Sequence, residues 1–367
     1  MGSSSKVITL IPGDGVGPEI TEVAKSCVSA LGVDVEWDLQ AAGGAVIAKE
    51  NTPLPERVID SIRKNKVALK GPVETPIGKG FRSVNVQLRQ QLDLFANVRP
   101  CKFYEGVHTR LTHPQDINIV IVRENTEDLY AGIEFMESCG LDTPFLKFLQ
   151  EQKGLELDCD TGLSIKPISV KASERIGRFA FEYARQYGRK KVTGVDKANI
   201  MKYSDGLFMK TVASVSEKYP EITYEHKLVD NMCMQLVQYP ERYDVLVLPN
   251  LYGDIVSDLA AGIVGGLGVA PGANMGEECA VFEAVHGSAP DIAGKDMVNP
   301  TGLLLSTVLM LEHLGEMDAA KKLEQAVAAV LKEGENVTAD LKGKDSPTPA
   351  VGTRAMGEAI VEKIRSM

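Results

Sequence analysis

The chain contains no C-x-x-C pair. Its six cysteines, Cys27, Cys101, Cys139, Cys159, Cys233 and Cys279, are scattered, and none stands with a histidine at zinc-ligand spacing. A zinc module is therefore not written into the sequence, and reduced thiols are the simplest state. Also missing are a G-x-S-x-G elbow, an H-E-x-x-H helix and a G-x-x-x-x-G-K-[ST] loop, and the five histidines are dispersed, which disfavours serine-nucleophile, zinc-hydrolase and P-loop chemistry. Positive charge is in deficit. Forty Lys+Arg against 50 Asp+Glu leave a net charge of −10, which repels polyanions, so no nucleic-acid partner is expected. The start, Met1-Gly-Ser-Ser-Ser-Lys6, has neither the apolar core of a signal peptide nor an Arg-rich amphipathic pattern. A cytoplasmic protein is the expectation, with a mitochondrial matrix protein that has lost its targeting peptide left open. The longest uncharged run, Leu259 to Gly276, is broken by six glycines and Pro271, and reads as buried helix and loop rather than a membrane span.

What the 367 residues do contain is an ordinary globular balance, 44% hydrophobic and 25% charged, at a length that suggests two domains. Apolar β-branched runs alternate with helical periodicity. Lys6–Ile11 predicts a strand before a helix opened by Pro18 and running to about Leu31. The rhythm recurs with strands at Ile117–Arg123, Ile168–Lys171, Val192–Val195, Ile222–Val229 and Val245–Leu248, and helices at Ala172–Tyr187, Tyr203–Tyr219 and Leu251–Gly262. Helices are expected at Gly302–Leu314, Ala319–Leu331 and after Thr348-Pro349. This alternation predicts an α/β fold with helices covering a largely parallel sheet. Between Glu134 and Ser164 it breaks down, and that segment reads as an excursion from the core.

Four groups of residues could carry chemistry. The loop Pro12-Gly-Asp-Gly-Val-Gly-Pro18 joins a strand to a helix but is not G-x-G-x-x-G, so it serves either a phosphate or merely a tight turn. Arg89, Arg99 and Arg123 stand on apolar scaffolds within one 35-residue stretch. Arg123 closes an apolar strand, where it is expected to leave the core and point into a ligand crevice. Together with Ser83 and Asn85, at the start of a helix placed at Gln87–Phe95, they fit a clamp for a polycarboxylate, or else each pairs with surface acids. Asp254 and Asp258, spaced i to i+4 in Gly253-Asp-Ile-Val-Ser-Asp258, could hold a hard cation with Asp230 completing the set, or could simply be an N-cap and a first-turn acid. Tyr130 and Lys197 are candidate proton carriers, against the commoner fates of core tyrosine and exposed lysine.

Taken in order, eight segments resemble the β-decarboxylating dehydrogenases, the family of isocitrate, isopropylmalate and homoisocitrate dehydrogenases. They are Ile11-Pro-Gly-Asp-Gly-Val-Gly-Pro-Glu19, Ser83-Val-Asn-Val-Gln-Leu-Arg89, Asn97-Val-Arg-Pro100, Arg123-Glu-Asn-Thr-Glu-Asp-Leu-Tyr130, Lys197-Ala-Asn-Ile-Met-Lys202, Asn250-Leu-Tyr-Gly-Asp-Ile-Val-Ser-Asp258, Phe282-Glu-Ala-Val-His-Gly-Ser-Ala-Pro290 and Asn299-Pro300. Within the family, S-x-N-x-x-L-R is similar to the NAD-dependent isocitrate dehydrogenases, whose serine and asparagine hold the carboxylate that isopropylmalate lacks.

The resemblance implies a large domain from residues 1–95 and 266–367, a small domain from 96–265 with a dimer arm at 134–164, and an active-site cleft between them. It implies substrate binding by Ser83, Asn85, Arg89, Arg99 and Arg123, and Mg²⁺ or Mn²⁺ on Asp254 and Asp258 with Asp230 from a second subunit. It makes Tyr130 the general acid and Lys197, also from the second subunit, the general base. The dinucleotide is expected against Thr75, His286, Gly287, Ala289, Asp291, Ile292 and Asn299. Where NADP-specific relatives carry Lys and Tyr, Asp291-Ile292 points to NAD, because an acid repels a 2′-phosphate and accepts from a free ribose hydroxyl. The expected activity is oxidative decarboxylation of D-isocitrate to 2-oxoglutarate and CO₂ by an obligate homo-oligomer, at least a dimer, with no membrane partner. Homoisocitrate or 3-isopropylmalate oxidation and a noncatalytic regulatory subunit of a hetero-oligomer are the alternatives. The last would be expected to lose catalytic or metal residues, yet Tyr130, Lys197, Asp230, Asp254 and Asp258 are all present.

Overall fold

The computed structural model describes residues 5–74, 83–136, 144–154, 161–343, 346 and 348–367. Twelve strands are found among them: β1 (Lys6–Ile11), β2 (Val35–Leu39), β3 (Val67–Lys70), β4 (Ala96–Lys102), β5 (Asn118–Glu124), β6 (Glu134–Met136), β7 (Gly162–Ser164), β8 (Lys191–Asp196), β9 (Thr223–Leu228), β10 (Val245–Leu248), β11 (Pro271–Met275) and β12 (Ala280–Ala284). Ten form one sheet in the order β2-β1-β3-β12-β11-β4-β5-β10-β8-β9, and β6 and β7 pair separately.

The sheet is an α/β sheet with an unusual middle. β2, β1, β3 and β12 run parallel, as do β5, β10, β8 and β9. Between them β11 is antiparallel to both β12 and β4, and β4 is antiparallel to β5. The parallel outer halves need crossover helices on their faces, which explains why strands such as β10 (VLVL) are apolar throughout and buried throughout. Helix Thr301–His313 is apolar on nearly every side because it is wrapped on every side, by β11, β12 and the helices Gly17–Ala30 and Met317–Glu333. Removing its fully buried Leu304 side chain to alanine would cost roughly 2–5 kcal/mol. A second core, with Ile121, Leu246, Leu248, Val256 and Ala260, lies between the other half of the sheet and helix Asn250–Val264.

Most predicted elements are found within one or two residues of their expected ends. Three differ. Ile168–Lys171 is not a strand: Ser169 accepts a bond from the Ala172 amide at 3.1 Å and caps a helix that runs over Val170–Gln186. A short apolar run before a helix has no period of its own, and the cap decides it. The helix expected at Gln87–Phe95 is instead Val84–Gln91, with Ser83 as its N-terminal flanking residue. The last helix starts at Thr353, not after Thr348-Pro349, and the Thr348 hydroxyl accepts from Lys342 Nζ at 2.7 Å. The strand expected at Ile222–Val229 is found within one residue at each end, and Val229 and Asp230 after it open helix Val229–Gln238.

In the Leu259–Gly276 run, the helix ends at Val264 and Pro271–Met275 is strand β11, buried in the sheet. Among the described residues no helix is long and apolar enough to cross a membrane. The irregular 134–164 segment contains the β6–β7 pair and helix Pro144–Lys153, outside the main sheet.

Candidate active site

The antiparallel middle of the sheet brings polar side chains onto one face. Register pairs Lys70 of β3 with Glu283 of β12, Asn274 of β11 with Asn97 of β4, and Asn97 with Arg123 of β5. Arg99 is two residues beyond Asn97 and so shares its face. A hydrogen-bonded layer results, with Asn274 at its centre. Its Oδ1 accepts from Arg89 Nε at 3.0 Å, Asn97 Nδ2 at 2.8 Å and Asn125 Nδ2 at 3.1 Å, and its Nδ2 donates to Glu283 Oε1 at 2.8 Å. Lys70 Nζ, only 1% exposed, meets Glu283 Oε2 at 2.6 Å. Burial works against the Glu283 carboxylate, but Lys70, Arg89 and the Asn274 amide outweigh it and bring its pKa down to about 2.

Arg123 does not leave the core as expected. It is 1% exposed and enters this layer beneath helix Asn250–Val264, donating from Nε to Asn250 Oδ1 at 2.9 Å and from Nη1 to Asp254 Oδ1. The helix lies so close that a β-carbon on Gly253 would sit 2.5 Å from Arg123 Cγ, so glycine is required there. Arg99 donates to Asn97 Oδ1 at 2.8 Å, Ser257 Oγ at 2.7 Å and Asp258 Oδ1 at 3.3 Å, with Asp254 Oδ1 at 3.5 Å. Burial lowers the pKa of both Arg89 and Arg123 and neighbouring guanidinium groups add to it, with Arg123 brought to about 10. Three cations crowded this closely favour an anionic ligand.

Asp254 and Asp258 are not caps. The first turn of their helix carries no acid, and both lie further along it. Tyr130 OH donates to Asp254 Oδ2 at 2.5 Å, and the Arg123 guanidinium lies over the Tyr130 ring at 4.8 Å. Burial opposes ionisation of Asp254, but Arg123, the Tyr130 hydroxyl and Arg99 together hold its carboxyl below the ordinary value. Asp258 moves the other way, raised by burial in spite of Arg99. Tyr130 is raised by burial and by its bond to Asp254, which keeps the phenol protonated.

The two aspartates are hard oxygen donors on one helix face, and in type they fit Mg²⁺ or Mn²⁺. Two carboxylates do not fill an octahedral shell, so substrate oxygens, water or a further carboxylate must complete it. Among the described residues no three His, Cys, Asp or Glu side chains converge in a metal-holding group. Asp230 stands apart, bonded to Lys197 Nζ at 2.5 Å. That contact holds the Asp230 carboxyl below its ordinary value.

A cavity of about 120 Å³ connects the arginine layer to the loop after β12. Lys70, Asn85, Arg89, Asn97, Arg99, Glu283, His286 and Gly287 are among its lining residues. Three buried polar atoms here lack partners: Asn85 Oδ1, Arg123 Nη2 and His286 Nε2. Such atoms are costly unless a ligand or water satisfies them. Burial lowers the His286 pKa, so the ring is neutral at pH 7, and its Nδ1 is 3.0 Å from the Gly287 carbonyl. Ser83 is exposed at the start of its helix. A larger concavity of about 730 Å³ lies elsewhere, between helices Gly17–Ala30 and Thr353–Ser366.

Of the dinucleotide residues, Ala289 has a left-handed φ of 40°, Asp291 is exposed in the short turn Pro290–Ile292, and a β-carbon on Gly287 would point into open space. Asn299 is buried and already employed. It donates to Asp340 at 3.0 Å and accepts from the Thr301 amide at 3.0 Å, which fixes the start of helix Thr301–His313. Thr75 lies outside the described residues. The Pro12–Pro18 loop proves to be a brace. A β-carbon on Gly13 would fall 2.0 Å from the Pro72 carbonyl oxygen and one on Gly15 2.0 Å from that of Ser288, and Val16 N donates to Ser288 O at 2.9 Å. Its glycines let three loops pack backbone to backbone and so hold the His286–Pro290 loop in place.

Sequence reading missed Lys70, Asn97, Glu283 and above all Asn274. The available signal was a lysine, a glutamate and two asparagines inside apolar strands, where buried polar groups demand partners.

A model of the isocitrate/isopropylmalate dehydrogenase family matches residues 7–360. A mitochondrial protein of Dictyostelium discoideum, named as a regulatory component of NAD isocitrate dehydrogenase, is 50% identical, with 94% of this chain and 90% of that one covered. A chloroplastic 3-isopropylmalate dehydrogenase from Solanum tuberosum is 47% identical over 90% of this chain and 87% of its own. The crystal structure of an isocitrate dehydrogenase from Methylococcus capsulatus superposes with a TM-score of 0.87 at 49% identity, covering 98% of this chain and 99% of the other. Overall identity does not separate these three readings.

Proposed function

The chain belongs to the isocitrate/isopropylmalate dehydrogenase family, and we propose that it is an NAD-dependent isocitrate dehydrogenase, converting D-isocitrate to 2-oxoglutarate and CO₂ with Mg²⁺ or Mn²⁺. One observation carries the reading: Tyr130, Asp254 and Arg123 interlock at one end of an arginine-rich cleft in which Asn85 Oδ1, Arg123 Nη2 and His286 Nε2 are left unpartnered. A regulatory chain would have no need to keep a protonated phenol against a metal-type carboxylate. An isopropyl group placed beside Ser83 and Asn85 would leave the Asn85 amide unsatisfied, whereas a carboxylate accepts from it once the amide turns its NH₂ inward. That argument favours isocitrate over 3-isopropylmalate.

In this reading Arg89, Arg99 and Arg123 release their present carboxylate partners to the substrate's carboxylates and orient C2 towards the nicotinamide. Lys197, entering from a neighbouring subunit, takes the hydroxyl proton, and the C2 hydride passes to NAD⁺. The β-keto acid so formed loses CO₂, and Tyr130 donates the proton that turns the resulting enolate into 2-oxoglutarate. A divalent cation on Asp254, Asp258 and the neighbour's equivalent of Asp230 would supply Lewis acidity to the hydroxyl and to the enolate. Asp291, exposed beside the His286 loop, supports NAD over NADP.

Assembly as a homo-oligomer is supported by what surrounds Lys197 and Asp230. Ile200 is 69% and Tyr203 91% exposed, and Met234 and Val237 are exposed near Asp230, an apolar setting suited to a second copy of the chain. The Dictyostelium relative, named as a regulatory component, makes assembly with a different chain the competing arrangement. The division into domains 1–95 with 266–367 and 96–265 rests on the sheet. Its strands sort five and five along those limits, and only the β11–β4 pairing crosses. Two of the three relatives above are named for mitochondria or chloroplasts, which supports an organelle location over the cytoplasm.

The test is NADH formation by the purified chain with D-isocitrate, homoisocitrate and 3-isopropylmalate in turn, with and without EDTA. Turnover of D-isocitrate that EDTA abolishes is expected. Preference for another substrate would replace the reading, and absence of turnover by the single chain would revive the regulatory one.

A further inference from the structure

We infer that Lys166 is a positioning residue, a single buried cation that locks together the three separate segments bearing Tyr130, Asp254 and Lys197. Lys166 precedes Pro167 in the connection between β7 and helix Val170–Gln186, in none of the motifs that carry the family resemblance. Its Nζ lies 2.7 Å from Asp205 Oδ1 and 3.6 Å from Asp128 Oδ1, and 4.3 Å above the Tyr252 ring. Both aspartates are fully buried. Lys166 is largely buried as well.

Each aspartate also accepts from backbone next to a proton or metal carrier. Asp205 Oδ2 accepts from the Lys197 amide at 2.8 Å. Asp128 Oδ1 accepts from the Leu129 amide at 2.8 Å, inside the turn Asp128–Ala131 that carries Tyr130. Asp128 Oδ2 accepts from the Leu251 amide at 2.8 Å, in the first turn of the helix that carries Asp254 and Asp258. Asp128 itself sits at φ +70°, in the left-handed region that costs a residue with a β-carbon some energy, though aspartate less than most. The amide of Asp128 donates to the Pro167 carbonyl at 3.0 Å, directly beside Lys166, so the turn is fastened at both its amide and its carboxylate.

The electrostatics make this tie strong and specific. Without Lys166, two buried carboxylates would keep backbone N–H groups and, at Asp205, the Ser204 and Tyr252 hydroxyls, but no cation, and their repulsion would push the two turns apart. With the Lys166 side chain only 11% exposed and both aspartates fully buried, one ammonium between two carboxylates is held more firmly than a surface pair. A displacement of about 1 Å at a proton carrier is enough to cost on the order of 10²-fold in rate. Because Tyr130 and Lys197 are taken to serve sites in different subunits, the tie also couples the two half-sites that one chain provides.

The inference rests on the proposed roles of Tyr130 and Lys197, and its test is built to fail separately from that reading. Three variants are compared with the wild-type chain: Lys166→Met, Lys166→Arg, and Lys166→Met combined with Asp205→Asn, which removes one charge of each sign and so leaves the net buried charge unchanged. Amide hydrogen exchange is read first, independently of turnover. In Lys166→Met, protection of the backbone at 128–131 and at 196–201 should fall together, while β10 and helix Thr301–His313 keep theirs. Unchanged exchange at either turn would overturn the inference, whatever the enzyme does. Kinetics follow. For the double variant, kcat should drop by about 10²-fold with KM for D-isocitrate within about threefold, and Lys166→Arg should restore a part of kcat. A folded double variant with wild-type kcat would reduce Lys166 to a structural ion pair. A wild-type chain that turns over no substrate, but loses exchange protection at both turns on Lys166→Met, would instead condemn the functional reading and leave the tie standing.

Discussion

Tyr130 and Asp254 are 124 residues apart in the chain, yet the phenol donates to the carboxylate at 2.5 Å. The bond joins the 3₁₀ turn after β5 to the second turn of the helix after β10, and it works on both partners. Tyr130 becomes harder to ionise and Asp254 easier. In the proposed reading this sets the proton donor beside a cation ligand, each in the protonation state that such a role needs.

Tyr130→Phe removes the donor and keeps the ring under the Arg123 guanidinium. Overall kcat should fall by roughly 10²-fold or more, with KM for D-isocitrate little changed. Assayed separately, reduction of the β-keto acid should survive better than its decarboxylation. Equal loss of both would contradict the assignment of the acid.

Glu283 governs acid stability. Its carboxyl titrates near 2 in the folded chain against an ordinary 4.5, so the stabilisation it contributes is fully present above about pH 4.5 and drains away as pH falls towards 2. Glu283→Gln should flatten that part of the stability curve and, by stranding the buried Lys70 ammonium, should cost about 3–5 kcal/mol at pH 7. Urea melts across the acid range measure both effects, and an unaltered pH dependence would show that Glu283 is not the group responsible.

Asn274→Leu takes the shared acceptor from Arg89, Asn97 and Asn125 at once. Each buried donor left alone costs about 1–3 kcal/mol, so a loss of roughly 3 kcal/mol or more is expected. Because Arg89 loses its orientation, KM for the substrate should rise more than kcat falls. Thermal melts and steady-state kinetics together check this, and a stable variant with normal KM would mean that the layer is held by other contacts.

Asp291→Lys together with Ile292→Tyr should raise the preference for NADP over NAD by about tenfold or more, the equivalent of one added charge-assisted hydrogen bond of about 1.5 kcal/mol. Asp291 is exposed, so the exchange should leave the fold intact. An unchanged ratio of kcat/KM values for the two cofactors would show that this turn does not read the ribose.

If Lys197 acts across a boundary between subunits, a mixture of inactive Tyr130→Phe and Lys197→Met chains, unfolded and reassembled together, should regain about a quarter of wild-type activity, since only mixed dimers contain one intact site. No recovery would place both proton carriers in the same chain's site.

How much of this was legible beforehand depends on how far apart the cooperating residues lie. Strand β10 announced itself because it is apolar end to end, β1 and β8 because β-branched apolar residues follow a leading lysine, and the helices because periodicity, with Pro18 opening the first, marks them locally. Arg89, Arg99, Arg123, Tyr130, Asp254 and Asp258 could be named as candidates because a charged or phenolic residue on an apolar scaffold is conspicuous, and all six are indeed joined in one network. Their neighbours could not. Asn274 was lost within an uncharged run that reads as interior, Lys70 at the end of a four-residue strand, and Lys166 in a connection without any pattern.

The sequence by itself determined the α/β alternation, the inventory of chemical groups and the acidic, cysteine-poor character that excludes other classes, because each of these depends on residue type and on spacing within a few turns. Only the tertiary structure decided which groups meet. Antiparallel register in the middle of the sheet set Asn97 opposite both Asn274 and Arg123, and parallel register beside it set Lys70 opposite Glu283. Packing also turned Arg123 inward beneath a glycine and brought Lys166 between two aspartates 77 residues apart. Charges from distant segments converge only when the packed backbone excludes water and leaves them one another as partners, and that condition belongs to the folded chain rather than to any stretch of it.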